Sequence, residues 1–356
     1  MNLFDVIEEL VIERGLDRET LNSIICEGML AAYNRKYPEL PLKVEYDGES
    51  GTTNILIEKE VATSVQDADL EIGLKKARNI NKKLNVGDKV WVPFDGTIGR
   101  IEILKARQVI ANQIRKVEAS LIYDEFKDKQ GEIIHGVIHK CERGGTIVKF
   151  DDTMALLPKS LTPAGDKSIV GYPIRALLKE VLEEPRNDYQ LILDRSSEEF
   201  LRRLFELEIP EIFEKLVEIK SIVRAPGYKA KIVVASNDSN IDPVGTCVGV
   251  GGSRIKPILK ELGTEKIDVI PWTESKEALV KQSLKPAQID RVELVDDTSA
   301  NVWLNEDQRA LAIGKMGQNI SLASRLTGLN IQLMQKDVSD LSELEGMIEE
   351  KLEVEE

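Results

Sequence analysis

Two short glycine turns carry the residue types best suited to chemistry in this 356-residue chain: Gly249-Val250-Gly251-Gly252 and Gly314-Lys315-Met316-Gly317. Each lies between a short helical pattern and a longer one. Glycine lets one backbone approach another closely, and it adopts φ > 0 without the penalty of a Cβ. The helix that follows offers free N–H groups and the positive end of its dipole, both suited to a phosphate. Ser253, Arg254 and Lys256 follow the first turn; Gln318, Asn319 and Arg325 follow the second. With Lys315 they add donors and positive charge. The chemistry predicted is capture of a phosphodiester backbone.

A single turn of this kind also reads as a glycine helix C-cap followed by a new helix start. Repetition favours the ligand reading. KAKIVVAS, a short helix, the first turn, a helix and KIDVIPW make one copy. ANVWLN, a short helix, the second turn, a helix and GLNIQLM make another. From Gly249 to Gly314 the period is 65 residues, too long for a solenoid and suited to two tandem small domains. A KH domain clamps about four backbone nucleotides with such a turn. A dinucleotide fingerprint fits poorly. Arg254 stands where its third glycine belongs, and Asp242-Pro243 before the turn is a helix start rather than a strand. No GxxxxGK[ST] loop and no GxSxG elbow is present.

The elements that must hold these turns follow from periodicity. Leu3, Phe4, Ile7, Leu10 and Val11 recur at helical spacing, and Asp17 can cap a helix running to about Tyr37. KVEYDG and TNILIEKEV read as strands joined at Gly48–Gly51, and VGDKVWVPFD as another. Residues 100–125 form a long helix with Ile103, Val109, Ile110, Ile114 and Val117 on its apolar side, and EFKDKQGE reads as a linker. From Glu132 to Ser196 about five short strands alternate with turns such as Arg186-Asn187-Asp188, the pattern of a small closed OB-type barrel. Trp91, Trp272 and Trp303 lie in or beside apolar strands and are expected in cores. His135 and His139 sit on a strand, too far apart to share a metal.

Net charge is −14, yet residues 336–356 alone carry nine acids against two bases, and residues 200–335 are balanced at 18 each. A phosphate binder needs a local basic face, not a basic total. Three scattered cysteines, Cys26, Cys141 and Cys247, argue against a disulfide framework and for a reducing compartment. No run is long enough to span a bilayer, and MNLFDVIEELVIERG lacks the basic start of a secretory signal. The expected location is the cytoplasm. No catalytic residue, metal site or cofactor is expected.

DPVGTCVGVGGSRIKPILKELGTEKIDVIPW and AIGKMGQNISLASRLTGLNIQL resemble the tandem KH domains of the NusA family of bacterial transcription factors. GVIHKCERGGTIVKF, ALLPKSL and ILDRSSEEFLRRLFELEIPEI resemble its S-one-type barrel, and LNVGDKVWV with ILKARQVIANQIRKVE its N-terminal domain. The resemblance spans roughly residues 1–335, in the family's domain order. It implies a multidomain α+β chain: an N-terminal α/β domain that binds RNA polymerase core (1–126), a five-stranded OB-type barrel of the S-one kind (127–199), two tandem type II KH domains (200–273 and 274–335) and a short acidic tail (336–356). It implies a monomeric, non-catalytic, RNA-binding elongation factor acting in pausing, termination and antitermination. Single-stranded nascent RNA would lie on the KH domains, with other transcription elongation factors as further partners and no membrane.

Three departures follow from the same comparison. Gly251 stands where the family usually has a basic residue, and Met316 where it usually has glycine. In the barrel, Gly144, Ile147 and Pro158 stand where RNA-binding barrels of this kind carry aromatics and a histidine. The barrel is therefore expected to act mainly as a spacer, with Arg143 and Lys159 giving electrostatic contacts. Two other classes stay open: a KH scaffold that binds RNA polymerase or other proteins with little RNA affinity, and a ribonuclease. The second would need a catalytic core larger than residues 1–126 and the reverse domain order.

Overall fold

The computed structural model describes residues 17–47, 52–186 and 188–335. The early helical pattern at Leu3–Val11, the turn at Gly48–Gly51, Asn187 and the acidic tail lie outside the described residues. The chain divides into two compact units, Met1–Phe126 with Glu183–Pro185, and Lys127–Leu182 with Arg186–Glu356.

In the first unit, α1 (Arg18–Lys36) is capped by Asp17, whose carboxylate accepts from Thr20 N at 3.1 Å. Strands β1 (Leu42–Asp47) and β2 (Thr52–Ala62) pair antiparallel. The short β3 (Glu71–Gly73) lies parallel to β2 and leads into α2 (Leu74–Ile80). Strand β4 (Lys89–Pro93) returns antiparallel to β2, and α3 (Arg100–Phe126) packs along α1. The contact with α3 depends on Gly28, where an added Cβ would sit 2.3 Å from Ile110 Cγ1. Leu21 and Ile25 meet Ile114 and Val117, while Tyr33, Leu42, Ile57, Val61 and Val92 form the core over the sheet.

Two expectations fail in this unit. Ile103 is exposed, because it lies about a turn ahead of the stretch of α3 that α1 covers. Trp91 is 39% exposed, since β4 alternates and places Trp91 on its outer face with the Lys43 ammonium 6.0 Å from the ring.

The second unit opens with a barrel of β5 (Ile133–Cys141), β6 (Gly145–Phe150), β7 (Thr153–Pro158), β8 (Pro173–Arg186) and β9 (Tyr189–Asp194). It closes in the order β5-β6-β7-β9-β8, with β8 returning to β5. The expected linker is largely tied down: Gly131 N donates to Leu178 O at 2.8 Å and Leu178 N to Glu132 O at 2.9 Å. Ile147 is fully buried in the barrel core, so it cannot serve as a surface platform. Gly144, Arg143 and Lys159 remain on the surface.

Next come α4 (Glu198–Glu208), capped by Ser197, and the single turn α5 (Pro210–Phe213). Strands β10 (Val217–Ala225) and β11 (Lys229–Ser236) pair antiparallel, then α6 (Pro243–Val248) and α7 (Ile255–Leu262) lead to β12 (Lys266–Pro271), parallel to β11. The frame then repeats. Helix α8 (Lys276–Ser283) precedes antiparallel β13 (Arg291–Asp296) and β14 (Ser299–Leu304); α9 (Glu306–Ile313) and α10 (Gln318–Thr327) lead to β15 (Asn330–Gln335), parallel to β14. Each sheet places the strand before the glycine turn at its centre.

Buried arginines join these parts. Leu177 of the barrel shares one core with Phe200 and Leu204 of α4 and with Ile232 and Ile258 beyond it. Arg195 reaches Asp166 at 2.6 Å and Glu261 on α7 at 2.5 Å. Arg224 holds both oxygens of Glu265, at 2.7 and 2.9 Å, and donates to Ser197 O at 2.6 Å. Both side chains of that pair are 1% exposed. An added Cβ at Gly227 would lie 2.0 Å from Ala164 O in the barrel.

Removing one partner of a buried ion pair strands the other charge, which costs about 3–5 kcal/mol. Glu265→Gln should therefore destabilise the second unit by a few kcal/mol in denaturant unfolding of the whole chain. Pairing Glu265→Leu with Arg224→Met should recover much of that loss, since no buried charge is then left alone.

Candidate nucleic-acid interface

Each glycine turn is built from a helix stop and a helix start placed back to back. Asp242 caps α6, accepting from Val244 N at 3.1 Å, and Pro243 fills its first position, where no N–H is needed. Gly249 ends α6 at φ +72°, and Gly314 ends α9 at φ +73°. A single 3₁₀ turn follows in both, over Val250–Gly252 and Lys315–Gly317. Then α7 or α10 begins. Gly252 and Gly317 also take positive φ, at +79° and +71°.

The two turns are conformational copies. Gly251 has φ +61° and ψ +21°; Met316 has φ +55° and ψ +28°. The frame thus imposes a left-handed residue at the same place in both, and only the first turn supplies a glycine there. The side chains at the tips project outward: Val250 is 95% exposed and Met316 78%. Lys315, Ser253 and Lys256 are exposed as well, and Gln318 is half-buried. Behind the first turn Cys247 is fully buried, and that burial pushes its thiol up to about 12, so it is a neutral core group.

Three other expected contact residues are committed elsewhere. Arg254 pairs with Glu211 at 2.8 Å and donates to Thr246 O at 2.9 Å, so it braces α6. Arg325 donates to Arg224 O and to Glu198 Oε1, both at 3.0 Å, and ties the second KH frame to the first. Asn319 is buried, with its amide nitrogen donating to the carbonyls of Leu284, Leu311 and Ala312 at 3.1–3.3 Å. The surface left for a ligand is therefore Gly249–Ser253 with Lys256, and Gly314–Gln318.

One exposed aromatic escapes the sequence pattern. Trp272, expected in a core, is 48% exposed. Its backbone continues the sheet, donating to Val234 O at 2.8 Å, one residue past Pro271 where β12 ends. The polar run Thr273-Glu274-Ser275 directly after it is the signal that marks it as a strand end. Trp303 is half-buried, under the Arg291 guanidinium at 5.1 Å. His135 and His139 are exposed on β5. Among the described residues no cluster of three or more His, Cys, Asp or Glu is placed to hold a metal ion.

Comparison with known proteins agrees with this architecture. Residues 2–120 match the NusA N-terminal domain, residues 195–272 the NusA-like first KH domain and residues 276–340 the NusA-like second KH domain. The transcription termination/antitermination protein NusA of Thermus thermophilus is 34% identical over 99% of this chain and 95% of its own length. The chain belongs to the NusA family. Its Bacillus subtilis relative of the same name is 33% identical over 99% of this chain and 94% of that protein. The Rickettsia conorii relative is 33% identical over 95% of this chain and 68% of its own length. The fold class read from the sequence, α+β with a five-stranded barrel and two KH domains in tandem, is the one observed.

The duplicated geometry makes a paired prediction. A non-glycine residue in the left-handed region carries a steric cost of about 1–2 kcal/mol. Gly251→Ala, with open space around the new Cβ, should lower stability by about 1 kcal/mol through backbone strain alone. Met316→Gly should be neutral or stabilising by up to about 1 kcal/mol. Denaturant midpoints of the two variants check both signs.

Proposed function

We propose that this chain is an RNA-binding transcription elongation factor. It grips single-stranded nascent RNA with the two KH turns, holds RNA polymerase core through residues 1–126, and so modulates pausing, termination and antitermination. It acts in the cytoplasm as a monomer without catalysis of its own, alongside other elongation factors. The observation that carries the reading is the pair of exposed glycine turns, alike in backbone, in a chain of this family. Each turn sets a positive helix end and an exposed lysine, Lys256 or Lys315, where a phosphate can approach closely. Membership of the family supports polymerase as the partner of the N-terminal domain. Among the described residues no helix is long and apolar enough to cross a membrane.

The apolar tips Val250 and Met316 favour a second reading, in which the turns dock a protein. One comparison separates the two. The whole chain and a variant carrying Val250→Asp, Gly251→Asp, Lys315→Asp and Met316→Asp are titrated with single-stranded RNA at two salt concentrations. The RNA reading expects at least a tenfold loss and a shallower salt dependence, each lost phosphate contact lowering the slope by about 0.7. Equal affinity at both salts would mean protein docking instead. Deleting residues 1–126 should abolish retention on RNA polymerase while leaving RNA affinity in place. Retention by the truncated chain would overturn the polymerase assignment.

A further inference from the structure

Lys229 lies at the start of β11, the central strand of the first KH sheet, but its side chain also serves the second domain. Its ammonium donates to Asp268 Oδ2 at 2.7 Å and to Asn319 Oδ1 at 3.2 Å. Asn319 is the second residue of α10, two places past Gly317. Its amide nitrogen faces three carbonyls: Leu284, which closes α8, and Leu311 and Ala312, at the end of α9. A Cβ added at Gly314 would lie 2.7 Å from Asn319 Cβ, so the entry to the turn rests directly on this side chain.

Lys229 shares its acid with a neighbour on the same strand. Lys231, whose side chain is fully buried, donates to the same Asp268 oxygen at 2.7 Å. One carboxylate thus serves both lysines, and Lys229 also reaches Asn319 in the second domain. A hydrogen bond from an ionised donor is stronger than a neutral one, and it polarises the amide so that its N–H groups donate more strongly in turn. The chain of contacts runs from the first KH sheet, through Lys229, to the residues on both sides of the second glycine turn.

We propose that Asn319 is a positioning residue: through Lys229 the first KH domain sets the geometry of the second domain's phosphate-binding turn. The two turns are then coupled, and RNA contact at Lys315 depends on a residue in the other domain. This rests on the reading of that turn as an RNA contact, and the test keeps the two ideas apart.

The test uses the whole chain and three variants. Lys229→Met removes the ammonium and keeps the length of the side chain; Lys229→Arg restores the charge. Lys231→Met, which shares Asp268 but is bonded within the first sheet, controls for general loosening. Amide hydrogen exchange is read at the hydrogen-bonded N–H groups of Gly314, Gly317 and Gln318 and, for comparison, at those of Gly249, Gly252 and Ser253. Lys229→Met should speed exchange at the second turn by about fivefold or more, with little change at the first. Lys229→Arg should restore most of the protection. Unchanged exchange at the second turn, or equal acceleration by Lys231→Met, would overturn the proposal. RNA affinity adds a second readout. Lys315→Gln should weaken binding in the natural protein and weaken it less in the Lys229→Met background. Full additivity of those two changes would also count against coupling. If Lys315→Gln leaves the natural protein's affinity unchanged, the RNA reading of that turn fails, while the exchange data still decide the positioning role.

Discussion

The second unit depends on one ion pair, Arg224 with Glu265. Both side chains are withdrawn from water, and every part of the pair is used. The guanidinium takes both carboxylate oxygens and Ser197 O; Glu265 also accepts from Gly227 N at 2.9 Å; and the Arg224 carbonyl accepts from Arg325. Helix α4, the β10–β11 hairpin, the entry to β12 and the second KH frame therefore converge on one node. Burying two charges is costly unless partners and geometry are complete. The node is tolerable only when all four parts are in place, which makes their relative placement close to all-or-none.

That constraint reaches the ligand surface indirectly. The glycine turns themselves hold little structure: their tips are open, and their glycines meet mainly the first residues of the following helix. What shapes them is behind them. Arg254 and Glu211 brace the first; Asn319 braces the second. The near-identical backbone at Gly251 and Met316 shows how far the frame prevails over local preference, since methionine has no intrinsic reason to adopt a left-handed conformation.

Features set by near neighbours are legible in the sequence alone. The glycine spacing, the Asp17 cap, the Asp242-Pro243 helix start and the strand alternation of the barrel all act within a few residues. Features set by distant partners are not legible in this way. Asn319, Arg254 and Arg325 have the composition of phosphate ligands, but their roles are decided by partners such as Lys229, 90 residues away, and Glu198, 127 residues away. Trp91 misleads for a related reason: alternation says that faces differ, not which face is covered. Helix α8 is hard to read because eight residues with a weak apolar stripe leave little periodic signal.

The joint between Arg195 and Glu261 has a consequence for synthesis. These residues are 66 apart in the chain. At roughly 5–20 residues per second, the barrel waits about 3–13 s on the ribosome before α7 exists to receive Arg195. During that interval a nearly complete barrel presents a buried-type arginine and the Leu177 side of its core to solvent. The carboxylate of Asp166 lies on the barrel itself and is the natural holding partner. An arginine shared between an early and a late acid lets the barrel close before the domain that will cover it has been made.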